Sequence, residues 1–332
     1  MPVPRPKGRL ERFRHTARAV RQAAEALAPD IYHFHDPELL PHGIALARKG
    51  AVAVYDVHED YRSSVVTRGW IPGPLRKLVS HWVAKLEARM ARHGWISAAT
   101  PDIAALFPSE RTALVQNFPD LSEFLGQPAA DPAARPPRLA YVGAITEERG
   151  IFEILRALPD LAACYPGLGF DLIGPVDTAL LARLQAEPGW AHTTHHGRQD
   201  RAGVVRLLSQ AQIGLVTLRD TPRYRLSQPT KLYEYMAAGL PLIASDFPLW
   251  RDLVGSDIGQ YVRPEPEAIA EGVSRILADP GAAARMGDTG RARVAEQYNW
   301  AVELDRLEEL YQQALSAAGR KPFESASPRE QA

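Results

Sequence analysis

The sequence predicts an α/β protein with parallel sheets, organised as two domains. Apolar periodicity alternates between helix and short buried strand almost throughout. The 332 residues exceed one typical domain and suit two. Between two such alternating series lies Gly126 to Pro137, a Pro- and Ala-rich stretch with no apolar period, which reads as a linker.

In the first series, residues 1–125, a basic helix over Arg9–Leu27 is expected ahead of strands at Ile31–Phe34, Val52–Tyr55, Trp95–Ala98 and Ala113–Val115. Helices fall between them, the longest from Pro74 to His93. It carries Arg76, Lys77, Lys85, Arg89 and Arg92 around an apolar stripe of Leu78, Val79, Trp82, Val83, Leu86 and Met90. Such a stripe reads as core, while the basic face, joined to the basic first helix, leaves peripheral contact with anionic lipid open.

The second series, residues 138–298, has strands expected at Leu139–Val142, Phe170–Ile173, His192–His195, Ile213–Thr217, Leu240–Ala244 and Gln260–Val262. Helices near Ile151–Leu161, Ala179–Ala186 and Asp200–Ser209 connect them, and Glu265–Ala278 and Gly281–Gln297 follow. A last helix within residues 299–318 precedes a polar tail, 319–332, expected to be disordered.

Composition narrows the function. Formal net charge is zero, which argues against a general nucleic-acid binder. A single cysteine, Cys164, excludes an internal disulfide framework and suits a reducing cytosol. No apolar run approaches the roughly 20 residues that span a bilayer, and the N-terminus lacks a signal-peptide h-region. A cytoplasmic protein is expected, with any membrane contact peripheral at the inner face.

The most informative segment runs from Ser227 to Asp246. Ser227 or Gln228 can cap a helix, Pro229 fits its first turn, and Gly239 with Pro241 stops it before an apolar run. Lys231 and Glu234 then share one face. A lysine at a helix N-terminus suits a diphosphate, and a carboxylate one turn deeper suits a pair of sugar hydroxyls. The competing reading is a solvated Lys/Glu pair on an amphipathic helix. The second informative stretch is Tyr141 to Glu153. Gly143, after a strand, permits close backbone approach to a ligand, and Arg149-Gly150 opens a helix at the sheet edge where ligands bind. A plain strand–turn–helix with a surface arginine is the alternative. Neither a G-x-G-x-x-G fingerprint nor a P-loop is present.

The first domain offers Tyr32-His-Phe-His-Asp-Pro-Glu38 and Tyr55-Asp-Val-His-Glu-Asp60, each following a strand at the same sheet edge. His33, His35, Asp36, His58 and Glu59 have the composition of a metal cluster, but the helical H-E-x-x-H pattern is absent. A polar sugar pocket lined by His58 and its neighbours is the preferred reading, and no metal is expected. His33 reads as a structural histidine. No nucleophile elbow or C-x-x-C occurs.

In combination and in this order, Asp56-Val-His58-Glu, Val142-Gly143 with Arg149-Gly150, the Lys231–Glu234 helix ending in Ala238-Gly239-Leu-Pro-Leu-Ile-Ala, and Tyr298-Asn-Trp300 resemble the retaining family-4 glycosyltransferases. The resemblance covers about Asp30 to Leu315. It implies two facing Rossmann-like domains of the GT-B type, with the nucleotide sugar held by the C-terminal domain in the intervening cleft and the last helix crossing back. It implies that Arg149 and Lys231 neutralise the donor diphosphate and that Glu234 holds the ribose. Gly143 and Gly197 would lie against the donor, His58 at the reacting centre, and His35, Asp36 and Glu59 on the acceptor side. No cofactor or metal is implied beyond the nucleotide diphosphate sugar itself. The acceptor would be a glycan or lipid-linked glycan in surface polysaccharide or glycoconjugate synthesis.

Two departures stand out. Eight positions before Glu234, where the family places a glutamate on the donor sugar, this chain has Leu226. The family's opening strands and glycine-rich loop also have no counterpart before the basic helix, so the N-terminal domain reads as shortened. A sheet lacking them keeps an unshielded edge, and the expectation is an upstream extension of the reading frame or completion by a partner or second copy. A non-catalytic binding or scaffold subunit and a nucleotide-sugar epimerase on the same fold are the alternative functions.

Overall fold

The computed structural model describes Gly8 and residues 11–67, 71–124 and 137–323. Contacts divide it into two compact units, residues 1–117 with 301–332 and residues 118–300. The expected linker lies outside the described residues except for Pro137, as do residues 9 and 10 and tail residues 324–332.

The first unit is built on four parallel strands, β1 (Ile31–Phe34), β2 (Val52–Val57), β3 (Trp95–Ala98) and β4 (Thr112–Leu114), in that spatial order. β3 is buried throughout and β2 at every position except Asp56, as parallel strands covered on both faces must be. In the β1–β2 register Phe34 lies opposite Tyr55, and the two rings stack with centroids 5.4 Å apart. Because side chains alternate along an extended segment, His33 on β1 and His35, one residue past its end, share the other face with Asp56 on β2. The helix Gly73–His93 buries Val83, Leu86 and Met90. Its expected apolar stripe is split, for Leu78 and Trp82 are 65% and 47% exposed, and only the C-terminal half faces the core. The first helix also differs from expectation: a π-helical turn, Arg12–Thr16, precedes the α-helix Ala17–Ala26. From Ala301 onward the helix Trp300–Ala317 belongs to this unit, anchored by the fully buried Glu303, which accepts a 2.8 Å bond from the Gln116 N–H.

The second unit holds six parallel strands, β5 (Arg138–Val142), β6 (Gly169–Ile173), β7 (Thr193–Gly197), β8 (Ile213–Val216), β9 (Leu242–Ser245) and β10 (Gly259–Val262). Their order is β10-β9-β8-β5-β6-β7, so strand progression reverses between β5 and β8. That reversal opens a crevice at the carboxyl ends of these two strands, the place where doubly wound sheets bind ligands.

Three local expectations are corrected here. Pro229, not Ser227 or Gln228, occupies the cap of the helix Thr230–Ala237, without a side-chain cap bond, and the Ser227 hydroxyl donates instead to the Tyr224 carbonyl at 2.9 Å. The strand expected from Leu240 starts at Leu242, because the Gly239 and Leu240 N–H groups turn back to the carbonyls of Met236 and Tyr235. This paired closure needs the left-handed φ of +71° that Gly239 supplies. His192 ends a 3₁₀ turn, Pro188–His192, and the strand after it runs on to Gly197.

An ion-paired cluster ties β5, β6 and β7 together. Asp171, 2% exposed, accepts from Arg138 Nε at 2.7 Å and Nη2 at 2.5 Å, and His196 Nε2 lies 2.7 Å from its Oδ1. Burial alone would raise the Asp171 pKa, but Arg138 and then His196 outweigh it and hold the carboxyl below its usual value. Its folded pKa is thus depressed, so its stabilisation is present above about pH 4, the unfolded value, and lost as pH falls through the folded one. Asp171→Asn is expected to cost about 1.5–3 kcal/mol near neutral pH by urea denaturation, with the difference from wild type shrinking below about pH 4.

Candidate functional site

The second unit places Gly143, Arg149, Lys231 and Glu234 around the β5/β8 crevice. β5 delivers Tyr141 and then Gly143, whose φ of +129° turns the chain across the strand end. A Cβ on Gly143 would sit 3.0 Å from Lys231 Nζ, so the bare backbone lies directly beside the ammonium. Arg149 ends a 3₁₀ turn, and Gly150 at φ +71° opens the helix Ile151–Cys164. Arg149 lies with its guanidinium 5.6 Å from the centroid of the Tyr224 ring.

Lys231, in the first turn of the helix Thr230–Ala237, is buried, its Nζ 3.8 Å from the centroid of the Tyr141 ring and without a hydrogen-bond partner. Burial first, and the neighbouring Arg149 charge second, hold its pKa well below the usual lysine value, with Glu234 opposing. A desolvated ammonium next to a second cation is costly unless an anion completes the site. Glu234 is buried too and is engaged by Arg201, whose Nη1 lies 2.5 Å from Oε1; Arg201 also pairs with Glu123. The solvated Lys/Glu pair is therefore ruled out, since both groups are buried and Glu234 takes Arg201 as its partner. Gly197 stands at the end of β7, where its carbonyl accepts from the Gly174 N–H at 2.8 Å, and a Cβ on Gly174 would meet the Gly143 carbonyl oxygen at 1.9 Å. The three glycines thus form a bare rim across the ends of β5, β6 and β7.

The first unit gathers a second cluster. Asp56 Oδ2 lies 3.1 Å from His58 Nε2, 3.1 Å from His35 Nδ1 and 3.3 Å from His33 Nε2, while Ser97 donates to Oδ1 at 3.1 Å. His58 Nδ1 faces the Asn117 amide at 3.0 Å. Burial pushes the Asp56 carboxyl up, but His33 and His58 outweigh it and keep it well below the carboxylate range. The bond to Asp56 in turn raises the His58 pKa, with Asp36 and Glu59 adding negative potential. Asp36 is ion-paired with Arg12 at 2.8 Å, and Glu59 follows His58 at the β2 end.

Asp56, Arg201, Tyr141 and Tyr311 were not among the sequence candidates. Asp56 precedes His58 by two on an extended segment, so strand periodicity alone could have placed it. No local pattern points to Arg201 or Tyr311, which reach their partners from distant helices.

Among the described residues, no helix is long and apolar enough to cross a membrane. The chain is 25% identical over 302 residues to glycogen synthase of Mycobacterium tuberculosis, covering 85% of this chain and 68% of that protein. In fold it is similar to sucrose-phosphate synthase of Thermosynechococcus elongatus, with a TM-score of 0.71 at 21% identity over 96% of this chain and 81% of that one. Anabaena HepE, solved in complex with UDP and glucose, matches with a TM-score of 0.67 at 14% identity over 93% and 83% of the two chains. These likenesses make the architecture a GT-B fold of two Rossmann-like domains. The profile described as Glycosyl transferases group 1 matches residues 128–293, half of the chain and the whole of the β5/β8 crevice, and the protein therefore belongs to the group 1 glycosyltransferases.

Proposed function

We propose that this glycosyltransferase moves a sugar, with retention, from a nucleotide diphosphate sugar to a glycan or lipid-linked acceptor in surface polysaccharide or glycoconjugate synthesis. The observation that carries the donor class is the buried, unpartnered Lys231 ammonium beside Arg149 and the bare Gly143 backbone. A diphosphate supplies the missing counter-charge. Cleaving the sugar–diphosphate bond then builds negative charge on the leaving oxygens, where two preorganised cations stabilise it while the sugar becomes oxocarbenium-like. Glu234, redirected from Arg201, accepts from the ribose hydroxyls, and Gly143 and Gly197 let the donor lie against the strand ends. The fold of HepE, solved with UDP and glucose, supports the same donor class. His58 is proposed to act at the reacting centre, and His35, Asp36 and Glu59 on the acceptor side. This reading requires no metal.

A thermal-shift screen with UDP, GDP, ADP and TDP sugars, followed by a transfer assay, tests this, since a ligand selective for the folded state raises its melting temperature. Sugar appearing on a second molecule with its anomeric configuration kept supports the proposal. A converted sugar without any acceptor would instead identify an epimerase, and donor binding without turnover a scaffold. Glu234→Ala is expected to weaken nucleotide binding by about 1.5–3 kcal/mol in calorimetry, the range for a charged hydrogen bond. Unchanged affinity in the folded variant removes the ribose role. His58→Ala should abolish transfer while nucleotide affinity stays near wild type; retained turnover would return His58 to a structural part.

A further inference from the structure

A cavity of about 270 Å³ lies at the opposite edge of the six-stranded sheet from the β5/β8 crevice, at the amino ends of β5, β8 and β9. Its volume is just below the range of about 300–1,000 Å³ usual for small-molecule sites. The sequence keeps it open. Where these elements meet, the chain places Ala211, Ala238, Gly239 and Ala283, whose side chains are too short to fill the space, while Tyr165, Leu240 and Ile276 supply apolar walls.

Gln212 breaks this apolar lining. It stands immediately before β8, is 8% exposed, and its Nε2 is buried without a hydrogen-bond partner. The backbone fixes which end of the amide is nitrogen. The Arg138 N–H donates to Gln212 Oε1 at 2.5 Å, and a flipped amide would set two donors against each other. The orphaned atom is therefore a donor, and a buried donor without an acceptor is destabilising until something supplies one.

The neighbouring donors are already spent. The N–H groups of Ser209, Ala211, Gln212, Ala238, Gly239 and Leu240 all donate to carbonyls of the chain. So do the Tyr165 and Ser209 hydroxyls, to Ser274 and Arg206. Pro137, Pro241 and Pro280 have no N–H to give. Arg291 donates to the Ala238 carbonyl at 3.1 Å, and its side chain and that of Asp288 are 39% and 78% exposed, so solvent reaches both. An acceptor oxygen on an occupant is thus directed to Gln212.

The same surroundings select against an anion. The helices Ile151–Cys164, Arg201–Leu208, Thr230–Ala237 and Pro266–Leu277 end beside the cavity, so it meets their carbonyl ends, where the helix dipole is negative. At the β5/β8 crevice the polarity is reversed, because Lys231 stands in the first turn of its helix. One sheet therefore has an edge suited to phosphate and an opposite edge suited to an uncharged molecule.

We propose that this cavity binds a small, uncharged, mainly apolar molecule whose carbonyl or ether oxygen accepts a hydrogen bond from Gln212. The test is a ligand-observed NMR titration of the full chain with acetophenone and with α-methylstyrene, which has the same shape but carries CH2 in place of the oxygen. Acetophenone is expected to bind saturably at about millimolar concentration, as suits so small a probe. It should bind about tenfold more tightly than the hydrocarbon, through the hydrogen bond to the buried amide. Gln212→Met should bring the two affinities together by removing the donor. Ala283→Leu, which fills the cavity and leaves Gln212 in place, should weaken both about tenfold or more. Circular dichroism checks that the variants fold, and if Gln212→Met does not, the wild-type pair and Ala283→Leu decide the matter. No saturable binding of acetophenone, equal affinity for the two probes in the wild type, or unchanged binding by folded Ala283→Leu overturns the proposal. None of these measurements involves the β5/β8 crevice, so their failure leaves the transferase reading untouched, and a failed transfer assay leaves this site untouched.

Discussion

Lys231→Met is expected to lower kcat at saturating donor about 10²–10³-fold, as removal of one preorganised electrostatic donor does, while raising the melting temperature of the ligand-free chain. The two effects share one cause. Lys231 is buried, stacked on Tyr141 and without a hydrogen bond at Nζ, so the ligand-free fold carries the cost of a desolvated amine. Methionine fills similar volume without that cost. On the proposed function, the same ammonium gains its best partner only when charge grows on the departing diphosphate, so its loss should fall on the transition state more than on donor binding. Arg149→Ala should share the kinetic defect with a smaller gain in stability, since the residue is only partly buried although its Nε is enclosed without a hydrogen-bond partner. Steady-state kinetics and thermal melts check both. Full recovery of rate at excess donor would reduce the two residues to simple binding. An unchanged or lowered melting temperature for Lys231→Met would show that the ammonium is not a stored cost.

Gly150→Ala carries the largest expected structural effect. A Cβ at this position would lie 1.8 Å from the Thr217 carbonyl oxygen, and the residue holds φ at +71°. The left-handed conformation costs about 1–2 kcal/mol for an alanine. Forcing the β8 end away from the loop adds about 1–3 kcal/mol of overpacking, for about 2–5 kcal/mol in all. The displaced elements are those that frame the β5/β8 crevice and aim Arg149, so donor affinity should fall together with stability. Chemical denaturation and nucleotide calorimetry measure the pair. A variant within about 0.5 kcal/mol of wild type would mean that the contact relaxes freely, as at an ordinary surface position.

Local signals in the sequence set the α/β class, nearly every strand and the residues that line the β5/β8 crevice. Alternating short apolar runs and helical periods are local signals; the Gly143, Arg149 and Lys231 positions sit at element ends that those signals mark, and Glu234 lies one turn beyond Lys231. The bounds failed where a bond pattern beyond the run decided them. Leu240 is apolar, yet its N–H is committed to the Tyr235 carbonyl, and His192 is held in a turn before β7. The apolar stripe of the helix Gly73–His93 was legible, but which half of it is covered depends on the elements packed against it, so Leu78 and Trp82 emerge exposed. Only the tertiary structure showed that Lys231 is buried without a partner, that Glu234 is taken by Arg201, and that three histidines converge on one Asp56 oxygen. Each of these depends on residues far apart in the chain: Arg201 comes from another helix, and β1 meets β2 across an intervening helix. Periodicity fixes the face on which a side chain stands, whereas strand register and packing decide what stands opposite it, and charge and burial follow from that partner.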